Sequence, residues 1–154
     1  MLKKFSYLVA ALSVALASTQ AMADRVGMPG NMPPSYAECG SCHTSYVPAL
    51  LPAKSWSNLM GSLGKHFGTD ASMDQKSAAE ISSWLTNNAA GTRGLSEAPR
   101  DNRITNSAWF ARKHREVGNT VWLRASIKSR ANCTACHRQA GNGDFEEDNV
   151  RIPR

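Results

Sequence analysis

Apolar residues in the first half of the chain recur every three or four positions, which is the spacing of one face of an α-helix. Trp56, Leu59 and Leu63 predict a helix over residues 55–67. His66 continues the same spacing. We therefore expect this histidine on the apolar face of the helix.

A second helix is predicted directly after the first. Ala78, Ile81 and Trp84 follow one another at helical spacing, and the pattern ends near residue 88. Ser72, followed three residues later by Gln75, has the pattern of a capping box at a helix N-terminus. We expect this helix to begin there.

The last third of the chain has weaker helical patterns. Phe110, His114 and Val117 lie at offsets of four and three, and predict a helix that begins after residue 106 and stops at Gly118. Residues 121–127 suggest one more short helix. Because no β-hairpin signal interrupts these patterns, the predicted fold class is all-α.

Segments rich in glycine and proline divide the chain. Residues 24–34 predict an extended lead-in, and Gly91, Gly94 and Pro99 mark a polar stretch without periodicity. We expect two small halves, residues 24–90 and 107–154, joined by a linker over residues 91–106.

The first 23 residues have the pattern of an export signal. Lys3 and Lys4 precede an apolar stretch over residues 5–17, and Ala21 and Ala23 form an A-x-A cleavage site. The apolar stretch is too short for a permanent membrane span, which needs about 20 residues. We expect residues 1–23 to be removed and the mature protein to be periplasmic, with a retained N-terminal anchor as the alternative.

Charge excludes one class of partner. The 154-residue chain has a formal charge of +6, and removal of the two signal lysines leaves 16 basic and 12 acidic residues. No dense run of Lys and Arg and no nucleic-acid motif accompanies this mild excess, so nucleic acid is not an expected partner. We expect a monomer without stable membrane insertion.

All four cysteines fall in two C-x-x-C-H motifs, Cys39 to His43 and Cys133 to His137. Cysteines three positions apart on a helical turn lie on one side, where they can form thioethers with the two vinyl groups of one porphyrin. The following histidine then reaches the iron, and C-x-x-C-H is typical of c-type haem attachment. Two covalent haem c groups are therefore expected. The alternatives are a zinc site and a thioredoxin-like dithiol, which lacks its βαβ pattern here.

A low-spin haem needs a sixth ligand, normally His or Met. The chain has four histidines, of which two lie in the motifs. His66 lies 23 residues after His43, and His114 lies 23 residues before His137. We therefore predict that these four histidines are the iron ligands. A lone histidine on an apolar face is more often a packed core residue, but the count of two histidines for two haems favours ligation.

Methionine is the main rival as distal ligand. Met28, Met32, Met60 and Met73 are available in the predicted mature chain, and Met60 shares the predicted helix of His66. The second half contains no methionine. The second haem therefore cannot take a methionine from its own half.

The sequence resembles the dihaem cytochrome c family, small exported proteins with one haem motif near each end. The matching stretches cover nearly the whole predicted mature chain: Cys39–His43, Pro48–Pro52, Trp56 with Leu59-Met60, His66–Gly68, Trp109–Val117, Asn132–His137, Gly143–Phe145 and Arg151–Pro153.

The resemblance implies bis-histidine ligation through His43, His66, His114 and His137, and a first half built like a class I cytochrome c. It also implies electron transfer without substrate chemistry, with a membrane cytochrome b and a small oxygen-binding monohaem cytochrome as partners. The alternative is an enzyme or gas sensor, peroxidase-like or nitrite-reducing, in which one iron lacks His66 or His114.

Overall fold

The computed structural model describes residues 26–91 and 97–154. The predicted export signal over residues 1–23 and part of the predicted linker lie outside these residues. The described parts of the chain contain helices and turns without a strand, which confirms the all-α fold class. No helix in these two ranges is long and apolar enough to cross a membrane.

Four α-helices and eight 3₁₀ segments make up the described residues. The α-helices are α1 (Ala53–Met60), α2 (Gln75–Asn87), α3 (Ala108–Lys113) and α4 (Asn119–Trp122). The 3₁₀ segments are Pro34–Ser41, Pro48–Leu50, Leu63–Lys65, Arg100–Asn102, Ile104–Asn106, Cys133–Ala135, Ala140–Asn142 and Glu147–Asn149.

Helix α1 is shorter than the apolar pattern predicts. It ends at Met60, where the N–H of the capping residue Gly61 donates to the Ser57 carbonyl at 2.9 Å. The Ser62 hydroxyl donates to the Asn58 carbonyl at 2.8 Å and so competes with the helical backbone pattern. The prediction of one helix through residue 67 was therefore wrong. His66 follows a separate 3₁₀ turn.

Helix α2 confirms the predicted end near residue 88 but not the predicted start and cap. The Asp74 carboxylate, not Ser72, accepts the backbone N–H of Ser77 at 2.9 Å. Asp is a favoured N-cap residue because its side-chain oxygen satisfies an otherwise unpaired N–H of the first turn. Hydrogen bonding from the side chain of Ser77, and then from its backbone N–H, lowers the pKa of the Asp74 carboxyl. The expected capping box at Ser72 was wrong.

The main core lies in the first half, where α1 packs against α2. Its buried residues are Tyr36, Leu51, Trp56, Ile81, Trp84 and Leu85. Each large apolar side chain of this kind stabilises the fold by about 1.5–3 kcal/mol when buried. The two indole N–H groups are satisfied, because Trp56 donates to the Pro48 carbonyl and Trp84 to the Gly30 carbonyl.

Helix α3 begins where Ser107 caps it, since the Ser107 hydroxyl accepts the Phe110 N–H at 3.0 Å. It ends at Lys113, a turn earlier than predicted. Gly118 is not its stop but the N-cap of α4. The buried apolar residues of this half are few, namely Phe110, Ile127 and Ala140.

The two halves contact each other directly. The Tyr46 hydroxyl donates to the Ala131 carbonyl at 2.9 Å. Gly143 adopts a φ of 77°, and a Cβ added there would overlap the backbone of Val26 and its neighbours, so the lead-in passes close to the second half. Ile104, from the predicted linker, packs against the first core. Contacts therefore join the predicted halves, whose boundary stays a prediction.

Candidate functional site

The first motif lies at the end of the 3₁₀ segment Pro34–Ser41, with Cys42 as its C-cap. This turn places His43 opposite His66, with their ring centres 6.1 Å apart and their planes at 28°. His66 directly follows the 3₁₀ turn Leu63–Lys65 and has an extended backbone conformation. The first predicted pair therefore comes together in space.

A cavity of about 870 Å³ surrounds this pair and falls within the usual range for ligand sites. Its lining includes Cys39 and Cys42 with the histidine pair, and also residues far along the chain. Arg103 comes from the predicted linker, and Cys133 comes from the second motif. Both halves thus border the first site.

The imidazole of His66 is held as a neutral base. Burial lowers the pKa of His66, and the neighbouring His43 and Arg103 lower it further. The neutral imidazole is the form that binds a metal ion. The Nδ1 of His43 lies 2.7 Å from the Thr44 carbonyl, whereas the buried Nδ1 of His66 has no hydrogen-bond partner among the described residues.

The second motif forms the 3₁₀ turn Cys133–Ala135, and the His137 N–H donates back to the Cys133 carbonyl at 2.8 Å. His114 is the C-cap of α3 and faces His137, again with 6.1 Å between ring centres. The two planes here make an angle of 80°. The second predicted pair also comes together.

The second site is more enclosed by protein. The His114 Nδ1 lies 3.0 Å from the Phe110 carbonyl, where it can donate a hydrogen bond and leave Nε2 free as a ligand. Burial lowers the pKa of His114 and His137. Burial also raises the pKa of the Cys133 thiol to about 11, which marks an environment suited to an uncharged sulfur such as a thioether.

The ring separation fits a metal between each pair. Two metal–nitrogen bonds of about 2.0–2.1 Å, with about 1.1 Å from each nitrogen to its ring centre, place two axial imidazoles about 6.3 Å apart. Both pairs lie at 6.1 Å. The large cavity at the first site agrees with a flat group bound there. The residues present therefore fit a haem at each site.

Sequence reasoning missed two residues of the first site. Tyr46 stacks on His43, with ring centres 4.9 Å apart, and Arg103 lies 4.0 Å above the Phe67 ring beside His66. Tyr46 could have been found from the sequence, because it is an aromatic residue three positions after the motif histidine His43. Arg103 gave no such signal, because only the fold brings the predicted linker to this cavity.

Two C-x-x-C-H motifs, each with a second imidazole facing its histidine, define a c-type cytochrome with two haems. The chain belongs to the dihaem cytochrome c family, whose model matches residues 35–145. No curated protein sequence matches the chain.

Solved structures agree with this family. The chain is 38% identical to a dihaem cytochrome c from Shewanella baltica, with a TM-score of 0.69, and the match covers 78% of this chain and 92% of that one. It is 43% identical to the dihaem cytochrome c from Rhodobacter sphaeroides, with a TM-score of 0.64 and coverage of 72% and 94%. A second structure of the Rhodobacter sphaeroides protein has a TM-score of 0.62 at the same identity and coverage.

The family confirms the cofactor prediction, which is two covalent haem c groups attached through the two motifs. It excludes the zinc and dithiol alternatives for these cysteines. A dihaem cytochrome c is an electron-transfer protein, and such proteins are generally not enzymes.

Proposed function

We propose that this protein is a periplasmic electron carrier in which His43 and His66 bind the iron of haem 1, while His114 and His137 bind the iron of haem 2. The single observation that carries the proposal is the 6.1 Å separation of the ring centres in both pairs. Two independent pairs at the spacing of axial ligands are not expected of histidines that only fill a core.

The cysteines supply the covalent attachment. Cys39 and Cys42 would form the thioethers of haem 1, and Cys133 and Cys136 those of haem 2. All four cysteines are free of disulfides. When bound, each haem supplies an iron that alternates between the ferric and the ferrous state and so takes up or releases one electron.

The chain's own residues set the properties of the two centres. Burial keeps His66, His114 and His137 neutral, so each can donate a lone pair at neutral pH. The Nδ1 hydrogen bond of His114 fixes its tautomer and orientation. With two imidazoles on each iron, no position is open for a small molecule, which favours a carrier over an enzyme or sensor.

Location and partners are part of the proposal. The pattern of residues 1–23 supports export and cleavage before Asp24. The resemblance to the family supports electron exchange with other cytochromes, such as a membrane cytochrome b and a small oxygen-binding monohaem cytochrome. We propose a monomer that meets these partners transiently.

Ligand binding tests the carrier assignment. The reduced native protein is mixed with carbon monoxide, and the oxidised protein with cyanide, while the Soret band is followed. We expect no rapid binding at either haem, and a near-infrared charge-transfer band characteristic of bis-histidine haem. Rapid, tight binding at one haem would instead assign a five-coordinate iron and an enzyme or sensor.

Export and partners need separate measurements. The mass of the protein recovered from the periplasm should correspond to a chain that begins at Asp24 and carries two haems. Purified periplasmic and membrane cytochromes of the same cell are then tested for reduction or oxidation by the dihaem protein. Retention of residues 1–23 would show an anchored protein, and transfer to none of these cytochromes would contradict the proposed partners.

A further inference from the structure

Two contacts from one residue hold the ring of His114. The backbone carbonyl of Phe110 accepts the Nδ1–H at 3.0 Å, and the Phe110 ring stacks on the imidazole with 4.0 Å between centres and 22° between planes. Phe110 is itself buried, with 4% of its surface exposed. Trp122 lies beside both rings, at 6.0 Å from Phe110 and 5.7 Å from His114.

The stacked ring restricts rotation more strongly than the hydrogen bond does. A hydrogen bond tolerates a range of angles at the carbonyl oxygen, so it fixes the nitrogen better than the ring plane. At 4.0 Å from a buried ring, rotation of the imidazole by a few tens of degrees would drive its edge into Phe110. Since the interior is close-packed, the buried phenyl ring cannot move aside easily.

The first site has a different arrangement. There the stacked ring is Tyr46, which lies on the motif histidine His43 at 4.9 Å and 29°. The other ligand, His66, touches Phe67 only at a tilt of 60°. The two imidazole planes at this site are 28° apart, against 80° at the second site.

The angle between axial imidazole planes has an electronic consequence. Each imidazole raises the energy of the iron d orbital with which its π system overlaps. Two iron d orbitals can overlap with the imidazoles in this way. Parallel imidazole planes raise the energy of the same one and so separate the two orbitals in energy. Perpendicular planes raise one orbital each and leave the two nearly equal in energy. Low-spin ferric iron then gives a rhombic electron paramagnetic resonance (EPR) spectrum in the first case, and a single strongly shifted low-field feature in the second.

We propose that Phe110 is a positioning residue that holds the His114 imidazole perpendicular to that of His137, and so makes haem 2 electronically distinct from haem 1. The inference rests on the proposed ligation of haem 2 by these two histidines. It predicts one rhombic signal and one strongly shifted low-field signal in equal amounts in the oxidised protein. It also predicts that loss of the Phe110 ring changes the second signal alone.

The test compares EPR spectra of the oxidised full-length holoprotein and three variants. Phe110→Leu removes the ring but keeps the backbone carbonyl that binds His114. Phe110→Tyr keeps a ring of the same shape. Trp84→Phe is the control, because Trp84 is a buried aromatic residue that packs against Tyr36 at a tilt of 53° and, among the described residues, against no histidine ring.

We expect Phe110→Leu to move the low-field feature toward the rhombic signal and to lower the midpoint potential of haem 2, because more parallel planes raise the orbital that loses the electron. Phe110→Tyr should keep the native feature, and Trp84→Phe should alter neither signal. The haem 1 signal is an internal reference in every sample.

The proposal is overturned if the native protein lacks the low-field feature, or if Phe110→Leu keeps it unchanged. It is also overturned if Trp84→Phe causes the same shift, since the effect would then be a general loosening of the fold. Near-infrared spectra of the same samples show whether the positioning role of Phe110 or the proposed bis-histidine ligation is wrong. Bis-histidine bands at both haems leave the ligation standing, whereas a His/Met or high-spin band contradicts it.

Discussion

The two histidine pairs have the same ring separation and different surroundings. At the first site the planes are 28° apart and the Nδ1 of His66 is unpartnered among the described residues; at the second they are 80° apart and the Nδ1 of His114 is bonded to the Phe110 carbonyl. A hydrogen bond at Nδ1 makes an imidazole a stronger donor to a metal. Under the proposed ligation, identical ligand types would therefore produce two centres that differ in spectrum and potential.

The protein around the sites differs as well. Eight of the eleven buried apolar residues in the described chain belong to residues 26–91, so the first half has a core of its own. The second half has three, of which only Phe110 lies on an α-helix, and the two α-helices of this half have six and four residues. Isolated helices of that length are not stable in water. Haem 2 must therefore supply much of the apolar interior of the second half.

Removal of the cysteines that attach a haem should have the largest effect on folding, and this effect should differ between the two halves of the chain. We expect Cys133→Ala with Cys136→Ala to leave residues 107–154 mainly unfolded or degraded. Cys39→Ala with Cys42→Ala should retain more structure, because α1 and α2 still pack together. Periplasmic yield, haem stain and helical circular dichroism of the two double variants measure this difference. Normal export of the 133/136 variant with native helical content would contradict it.

Removal of one distal histidine should open one iron only. His114→Ala should bind one equivalent of carbon monoxide at haem 2, and His66→Ala one equivalent at haem 1, whereas the native protein binds none. Each variant is the control for the other, and the EPR signal that disappears identifies the haem affected. Binding of two equivalents, or of none, would contradict the pairing within each half.

A change of ligand type should shift one potential. Thioether favours ferrous iron relative to imidazole. His66→Met should therefore raise the potential of haem 1 by on the order of 0.1 V, a modest part of the roughly 0.8 V range that axial ligands cover. Haem 2 should change little. Redox titration followed by optical and magnetic circular dichroism spectra resolves the two centres, and a larger change at haem 2 would refute the assignment.

The smallest expected effect concerns the contact between the halves. Burial raises the pKa of the Tyr46 phenol to about 12, so the hydroxyl stays protonated and donates to the Ala131 carbonyl. Tyr46→Phe should lower the free energy of unfolding by about 1 kcal/mol, the usual net value of one hydrogen bond. Denaturant titration of the holoprotein measures the loss.

Tyr36→Phe is the matched control for this change. It removes another phenol hydrogen bond, from Tyr36 to the Tyr46 carbonyl, that lies within the first half. Only Tyr46→Phe should also make the two halves unfold at separate denaturant concentrations. The same splitting in both variants would show that the Tyr46 bond has no special part in joining the halves.

Several features could be predicted from the sequence because they depend on local spacing. A C-x-x-C-H motif contains within five residues all the groups that attach a haem, and helix α2 has a regular apolar face. Helix ends were predicted less well. The periodic pattern through His66 continues past Met60, but Gly61 and the Ser62 hydroxyl stop the helix there.

The sequence by itself determined the number of haems, their mode of attachment, the all-α class and a short list of candidate ligands, since each depends on residue types and local spacing. Only the tertiary structure brought His66 to His43 and His114 to His137. It also decided the plane angles and the presence of Tyr46 and Arg103 at the first site. These depend on contacts between residues far apart in the chain, such as Tyr46 with Ala131, which packing selects and local periodicity does not encode.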